Sequence, residues 1–320
     1  MQRKLAVAVQ ELTETHREQI RAAAEKNGFE IRFIKTPAEE TAFLQEAEVV
    51  FGHLPETAAA SSALKWICTP YAGVDQFLKP GAFANPDAML SNSSGAYGVT
   101  ISEHTIMLLL EILRRDPEYR KIVAAREWKR DLAVRSIRSS RITLLGTGDI
   151  GQETAVRLKA FSPASLTGIN RSGNNPGNLF DRILTGDNWE SALPETDILL
   201  ISLPGTKEAY HMVGERQMAL LPDGAVIINV GRGSVIDQTA LVRELKKGRL
   251  YAGLDVFEQE PPVKDDPVWE LPNLIITPHT AGNMTLTHTV NRIMELFLAD
   301  LDRYCAGKFP LHLIDRNRGY

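Results

Sequence analysis

The chain has 320 residues, 43% of them apolar and 24% charged, with a formal net charge of -4 and a pI near 6.0. That length accommodates two domains with separate cores, and the acidic balance lacks the basic footprint of a nucleic-acid binder. Cys68 and Cys305 stand in no metal-ligand spacing, so neither a disulfide framework nor a zinc site is expected, and a reducing, cytoplasmic setting fits. Residues 5–9 are too short a run for a secretory core, and no stretch approaches the roughly 18 apolar residues of a membrane span.

In chain order, residues 4–9 read as a buried strand, and Thr13 as the cap of a helix that stops at Asn27-Gly28. Residues 29–34 form the next strand, Pro37 opens a short helix, and 49–51 and 64–68 supply a third and a fourth strand. This alternation predicts an open α/β sheet. Such sheets carry ligand loops at the carboxyl ends of their strands, which points to Thr69-Pro70-Tyr71-Ala72-Gly73-Val74-Asp75; read alone, it is as often a turn as an anion site. Residues 102–113 are apolar around nearly the whole helical circumference, which predicts a helix buried between layers that opens a second domain. His104 at its start reads as a packing histidine. Asp116-Pro117 caps a further helix continuing toward Trp128.

The second domain centres on residues 141–151, where an apolar strand enters the spacing Gly146-Thr147-Gly148-Asp149-Ile150-Gly151. Gly146 permits a tight turn, Gly148 leaves room for a pyrophosphate, and Gly151 lets the next helix pack closely, its N-terminus facing the anion. A helical pattern over 152–161 and a strand over 165–169 complete a βαβ unit. The second strand ends in Asn170-Arg171-Ser172 where NAD-binding chains carry an acid. No carboxylate repels a 2'-phosphate there and Arg171 can pair with one, so NADP(H) is expected in preference to NAD(H). Short apolar strands follow at 197–202, 224–230, 250–255 and 273–277, with Asp237 capping a helix that runs through Lys247 to Gly248. Residues 285–305 form a long amphipathic helix expected to return to the first domain.

Three consecutive strand-end loops hold Arg232, Glu260 and His279. Each alone has an ordinary structural reading. Together, on the edge that holds the dinucleotide, they are what reduction of a 2-oxo acid requires: a fork for the carboxylate, a proton donor for the carbonyl oxygen, and an acid that keeps the donor charged.

Through Ala72-Gly73-Val74-Asp75, Ser102-Glu103-His104, the glycine turn, Leu203-Pro204, residues 229–237, 253–261 and 277–282, the chain resembles the D-isomer-specific 2-hydroxyacid dehydrogenases, including the glyoxylate/hydroxypyruvate reductases. The resemblance implies a Rossmann-type doubly wound parallel sheet (residues 96–286) inserted in a smaller flavodoxin-like α/β substrate domain (1–95 and 287–320), with a cleft between. It implies substrate orientation by Arg232, acid–base work by His279 paired with Glu260, and a carboxylate cradle at Ala72, Gly73 and Val74. Cofactor contacts are implied at Thr100, Gly146, Gly148, Asp149, Ile150, Gly151, Asn170, Arg171, Ser172, Leu203, Pro204, Val230, Arg232, Asp255, His279 and Gly282. A homodimer through the cofactor domains is also implied, with the apolar helix near the contact. Ser162-Pro163-Ala164 stands where the family often has a glycine, and Glu260 argues against the formate dehydrogenases, which carry glutamine there. Glyoxylate and hydroxypyruvate are the first substrates expected, with bulkier aliphatic or aromatic 2-oxo acids as the alternative. His53-Leu54-Pro55, Tyr71, Tyr97 and Trp269 would shape the side-chain pocket. A dinucleotide-sensing, corepressor-like module is the reading from a different class.

Overall fold

The computed structural model describes residues 2–316, 318 and 319. They divide into two compact units, Met1–Tyr97 with Met284–Tyr320, and Gly98–Asn283.

In the first unit β1 (Arg3–Ala8), β2 (Phe29–Phe33), β3 (Val49–Gly52), β4 (Trp66–Cys68) and β5 (Met89–Ser91) form a wholly parallel sheet in the order β2-β1-β3-β4-β5. The chain reverses direction across β1 and β3, the place where such sheets open a ligand crevice. Gly52 ends β3 at φ +124°, and a Cβ there would lie 2.3 Å from the Ala8 carbonyl oxygen, so only glycine lets the two strands stay paired. Helix α1 (Glu14–Lys26) starts at Thr13 in a reciprocal cap: Thr13 Oγ1 accepts from the His16 N–H, and His16 Nδ1 accepts from the Thr13 N–H, both at 3.3 Å. Helices α2 (Thr41–Gln45) and α3 (Glu56–Ala59) are short connectors.

The second unit opens with α4 (Gly98–Arg114) and α5 (Asp116–Ala124). There follow β6 (Arg141–Leu145), α6 (Asp149–Lys159), β7 (Ser165–Ile169), β8 (Arg182–Leu184), β9 (Ile198–Ile201), α7 (Glu215–Leu220), β10 (Val226–Asn229), α8 (Gln238–Lys246), β11 (Tyr251–Leu254) and β12 (Leu274–Ile276). All seven strands are parallel, in the order β12-β11-β10-β9-β6-β7-β8. The switch point lies between β6 and β9.

Two expectations need correction. Helix α4 begins four residues before Ser102 and is not buried all round: Met107 is exposed and Leu110 half-buried, because only the face carrying Leu108, Leu109, Ile112 and Leu113 meets the sheet and α6. Helix α5 stops at Ala124, where Arg126 turns left-handed (φ +58°), and residues 127–136 form neither helix nor strand. At Ser162-Pro163-Ala164, in place of a glycine, Ser162 adopts the left-handed conformation itself (φ +55°).

The last helix, α9 (Thr287–Cys305), belongs to the first unit and walls its core. The Phe297 ring stacks on Phe51 at 3.9 Å between centroids and lies 5.9 Å from that of Trp66, whose indole N–H donates to Ser91 Oγ. His16 Nε2 and Asn291 Oδ1, 2.9 Å apart, tie α9 to α1. Among the described residues no helix is long and apolar enough to cross a membrane, and no cluster of His, Cys, Asp and Glu could hold a metal ion.

Candidate active site

The glycine turn follows directly from β6, four of whose five residues are buried. Gly146 sits at φ +103°, where a Cβ would meet Ser202 Oγ at 2.9 Å, and a Cβ on Gly151 would lie 2.2 Å from the Gly146 carbonyl oxygen. At Gly148, by contrast, a Cβ would meet nothing within 4 Å. The turn is closed where helix and strand touch and open at Gly148. No side chain caps α6 at Gly148, and a helix N-terminus of this kind is favourable ground for an anion. These residues fit a dinucleotide.

After β7, the Asn170 side chain organises its own loop. Its amide donates to Thr147 Oγ1 and to the Asn174 carbonyl, both at 2.8 Å, and its oxygen accepts from the Gly173 N–H at 2.8 Å. Arg171 and Ser172 are left exposed at the loop's tip, and the charge of Arg171 reaches Glu208 beyond β9.

The carboxyl ends of β9 to β12 build the rest. Asn229, fully buried, folds the turn after β10: its amide donates to the Arg232 carbonyl (2.9 Å) and its oxygen accepts from the Gly231 N–H (3.0 Å). The turn lies hard against its neighbours, since a Cβ on Gly231 would come within 2.6 Å of the Leu203 carbonyl oxygen and one on Gly233 within 1.9 Å of the Phe257 carbonyl carbon. Glu260 Oε1 accepts from the Phe257 N–H at 2.9 Å, and Glu260 Oε2 lies 2.6 Å from His279 Nδ1. The His279 side chain is 52% exposed and that of Glu260 35%.

The hydrogen bond to Glu260 raises the His279 pKa above the ordinary histidine value; burial and the Arg232 charge oppose it, and the charges of Glu260 and Asp255 add to it. Burial pushes the Glu260 carboxyl up, but the bonds from His279 and the Phe257 N–H, with the charges of His279 and Arg232, hold it below the usual carboxylate range. The His279 backbone is left-handed, φ +51°, and its N–H donates to the Asp255 carbonyl at 2.9 Å. Asp255 itself, 1% exposed, accepts from Thr277 Oγ1, the Thr280 N–H and the Ala281 N–H, so its carboxylate is built into this turn.

Other expected contacts lie on the same unit: Thr100 in the first turn of α4, Leu203 and exposed Pro204 after β9, buried Val230 after β10, and half-buried Gly282 after Ala281. In the first unit, the Ala72 carbonyl accepts from Asn92 Nδ2 (2.7 Å), Val74 is buried, and Gly73 stands between them. Tyr71 Oη and His53 Nε2 are 2.8 Å apart, while Tyr97 Oη donates to the Pro70 carbonyl. Trp269 lines a surface cavity of about 520 Å³ with Lys246, Lys264 and Leu271, at the last turn of α8. Sequence reasoning missed Asn229 and Thr277 as organisers. Their signal is a polar residue closing an otherwise apolar strand.

A doubly wound parallel sheet with a dinucleotide turn on the edge that also carries the His279–Glu260 pair defines a class: an oxidoreductase that uses a nicotinamide dinucleotide. The family model described as D-isomer specific 2-hydroxyacid dehydrogenase, NAD binding domain, matches residues 106–281. The chain belongs to that family. It is 32% identical over 237 residues to a glyoxylate reductase of Korarchaeum cryptofilum, covering 71% of this chain and 69% of the relative. Among solved structures, a D-isomer specific 2-hydroxyacid dehydrogenase family protein of Aeromonas salmonicida superposes with a TM-score of 0.86 at 30% identity, covering 99% of this chain and all of the other. An NADPH-dependent glyoxylate/hydroxypyruvate reductase of Sinorhizobium meliloti, solved with NADP and sulfate, gives 0.80 at 26% identity, with 99% and 100% covered.

Proposed function

We propose that this protein is an NADPH-preferring reductase of small 2-oxo acids, glyoxylate or hydroxypyruvate first, giving the D-2-hydroxy acid. The observation that carries the reading is the 2.6 Å contact between His279 and Glu260 beside Arg232. When bound, the nicotinamide supplies the hydride. Arg232 orients the substrate carboxylate as a fork, and the Ala72–Gly73–Val74 backbone binds it. As negative charge grows on the carbonyl oxygen, the His279 imidazolium gives that oxygen its Nε2 proton. Glu260, bonded to Nδ1, holds the ring in orientation and keeps it charged; positioned acids of this kind are worth about 10²- to 10⁴-fold.

Gly146, Gly148 and the first turn of α6 hold the pyrophosphate, and Arg171 with Ser172 takes the 2'-phosphate. Asn170, turned into its own loop, favours this by leaving no acid there. The active species is a homodimer through the second unit, supported by exposed apolar side chains on one stretch: Met107, Val123, Val134, and Trp128 at 88% exposure. The cytoplasm is the setting, supported by two free cysteines.

The test is absorbance at 340 nm with NADPH and NADH in parallel against glyoxylate, hydroxypyruvate, 2-oxoisocaproate and phenylpyruvate. Faster oxidation of NADPH than of NADH with one of the two small acids is expected. Oxidation with none of the four, NADPH still binding, overturns the reading.

A further inference from the structure

His279 holds a backbone conformation that side chains other than glycine rarely adopt, so its turn has to be held from outside. Asp255 does this from three atoms: its carbonyl accepts from the His279 N–H (2.9 Å), Oδ1 from the Thr280 N–H (2.9 Å), and Oδ2 from the Ala281 N–H (3.0 Å). A carboxylate buried this deeply keeps its place only if its oxygens are satisfied. Its remaining side-chain donor is Thr277, whose hydroxyl gives its proton to Oδ1 at 2.6 Å from the end of the neighbouring strand.

A hydroxyl has one proton. Having given it to Asp255, Thr277 Oγ1 acts as an acceptor, and the group 2.9 Å away is Nε2 of His104, on the second turn of α4. The same nitrogen lies 3.6 Å from Asp255 Oδ1, and the His104 side chain is only 15% exposed. The chain of donors therefore runs one way: His104 Nε2–H to Thr277 Oγ1, Thr277 O–H to Asp255, and Asp255 to the turn of His279.

We propose that His104 is a positioning residue for the reaction, anchoring the His279 turn to α4 through Thr277 and Asp255. The inference rests on the acid–base role given to His279. Without the His104 donor, Thr277 is free to rotate off Asp255, the turn relaxes, and Nδ1 of His279 leaves its alignment with Glu260. The glycine turn shares none of these side chains, so its hold on the pyrophosphate is kept while turnover is lost.

The experiment compares H104L, H104N, H104Q, T277V and T277S, with H279A as reference. H104L and T277V should lose about ten- to a hundredfold in kcat, the scale of a misplacement near 1 Å, with NADPH affinity by fluorescence titration changed far less than kcat. H104Q, whose amide nitrogen reaches the Nε2 position, and T277S should recover most of the turnover. H104N reaches only the Nδ1 position and should not. On the protein without cofactor, NMR titration of labelled histidines should show the His279 pKa falling toward the ordinary value in H104L and T277V but not in H104Q.

Wild-type kcat and an unmoved His279 titration in H104L and T277V overturn the proposal. So does a joint fall of kcat, NADPH affinity and melting temperature that H104Q and T277S fail to reverse. A fully active H279A defeats the acid–base reading instead, and the titration still reports separately on the anchor.

Discussion

Gly233→Ala is the sharpest perturbation this site offers. The added Cβ would stand 1.9 Å from the Phe257 carbonyl carbon, 2.0 Å from its oxygen and 2.5 Å from the Glu258 nitrogen. All three are backbone atoms, so no rotamer change relieves them. Ordinary contact begins at 3.4 Å, and the 257–258 segment must therefore retreat by roughly 1.5 Å. That segment supplies the N–H that fixes Glu260 Oε1 at 2.9 Å, and Glu260 in turn holds His279 at 2.6 Å. A shift of this size breaks the first bond and swings the second out of line. Overpacking of this kind costs about 1–3 kcal/mol of stability, and a misplacement near 1 Å about 10²-fold in turnover. In a unit of this size the stability loss is worth roughly 2–4 °C per kcal/mol. The assay is steady-state kcat with the preferred 2-oxo acid, alongside thermal melting and NADPH titration. A G233A protein with wild-type kcat and melting temperature would refute the placement of this turn against the Glu260 segment.

Glu260→Gln removes the charge that raises the His279 pKa, so the imidazolium needed for reduction is lost at lower pH; the falling limb of the reductive pH–rate profile moves down, and an unmoved limb counts against the pairing. Gly148→Ala places its methyl where no other atom of the chain lies within 4 Å, so melting should shift by less than about 0.5 kcal/mol equivalent, while dinucleotide Kd rises about tenfold or more; unchanged Kd by titration would place the pyrophosphate elsewhere. Arg171→Ala should weaken NADPH about fivefold, the roughly 1 kcal/mol of an exposed charge pair, and leave NADH alone; equal effects on both by fluorescence titration would remove Arg171 from the 2'-phosphate. Phe297→Ala strips a buried ring from between Phe51 and Trp66 and should cost about 3–5 kcal/mol in urea unfolding, with a loss below 1 kcal/mol contradicting that packing.

The strands that carry the site are legible because central parallel strands are apolar on both faces, so runs such as Val226–Asn229 and Ile198–Ile201 stand out between polar loops. β5 and β8 are three-residue edge strands, too short to display any period. Arg232, Glu260 and His279 are legible by type and by their places after successive strands, and the structure brings Glu260 and His279 into contact with Arg232 in electrostatic reach. What holds them is harder to read. His104 meets Thr277 across 173 residues, and nothing local to an apolar helix announces such a partner. The side-chain amide of Asn170 likewise turns inward to Thr147, a pairing set by the approach of two loops and invisible in either alone.

The place of Phe297 has a consequence for synthesis. Its ring closes a core whose other walls, Phe51 and Trp66, emerge from the ribosome more than two hundred residues earlier. The second unit, continuous from Gly98 to Asn283, is complete first. At ordinary translation speeds the five N-terminal strands wait roughly ten to forty seconds for their missing wall. During that interval the nascent chain presents an open aromatic surface, and the last helix made is the first opportunity to cover it.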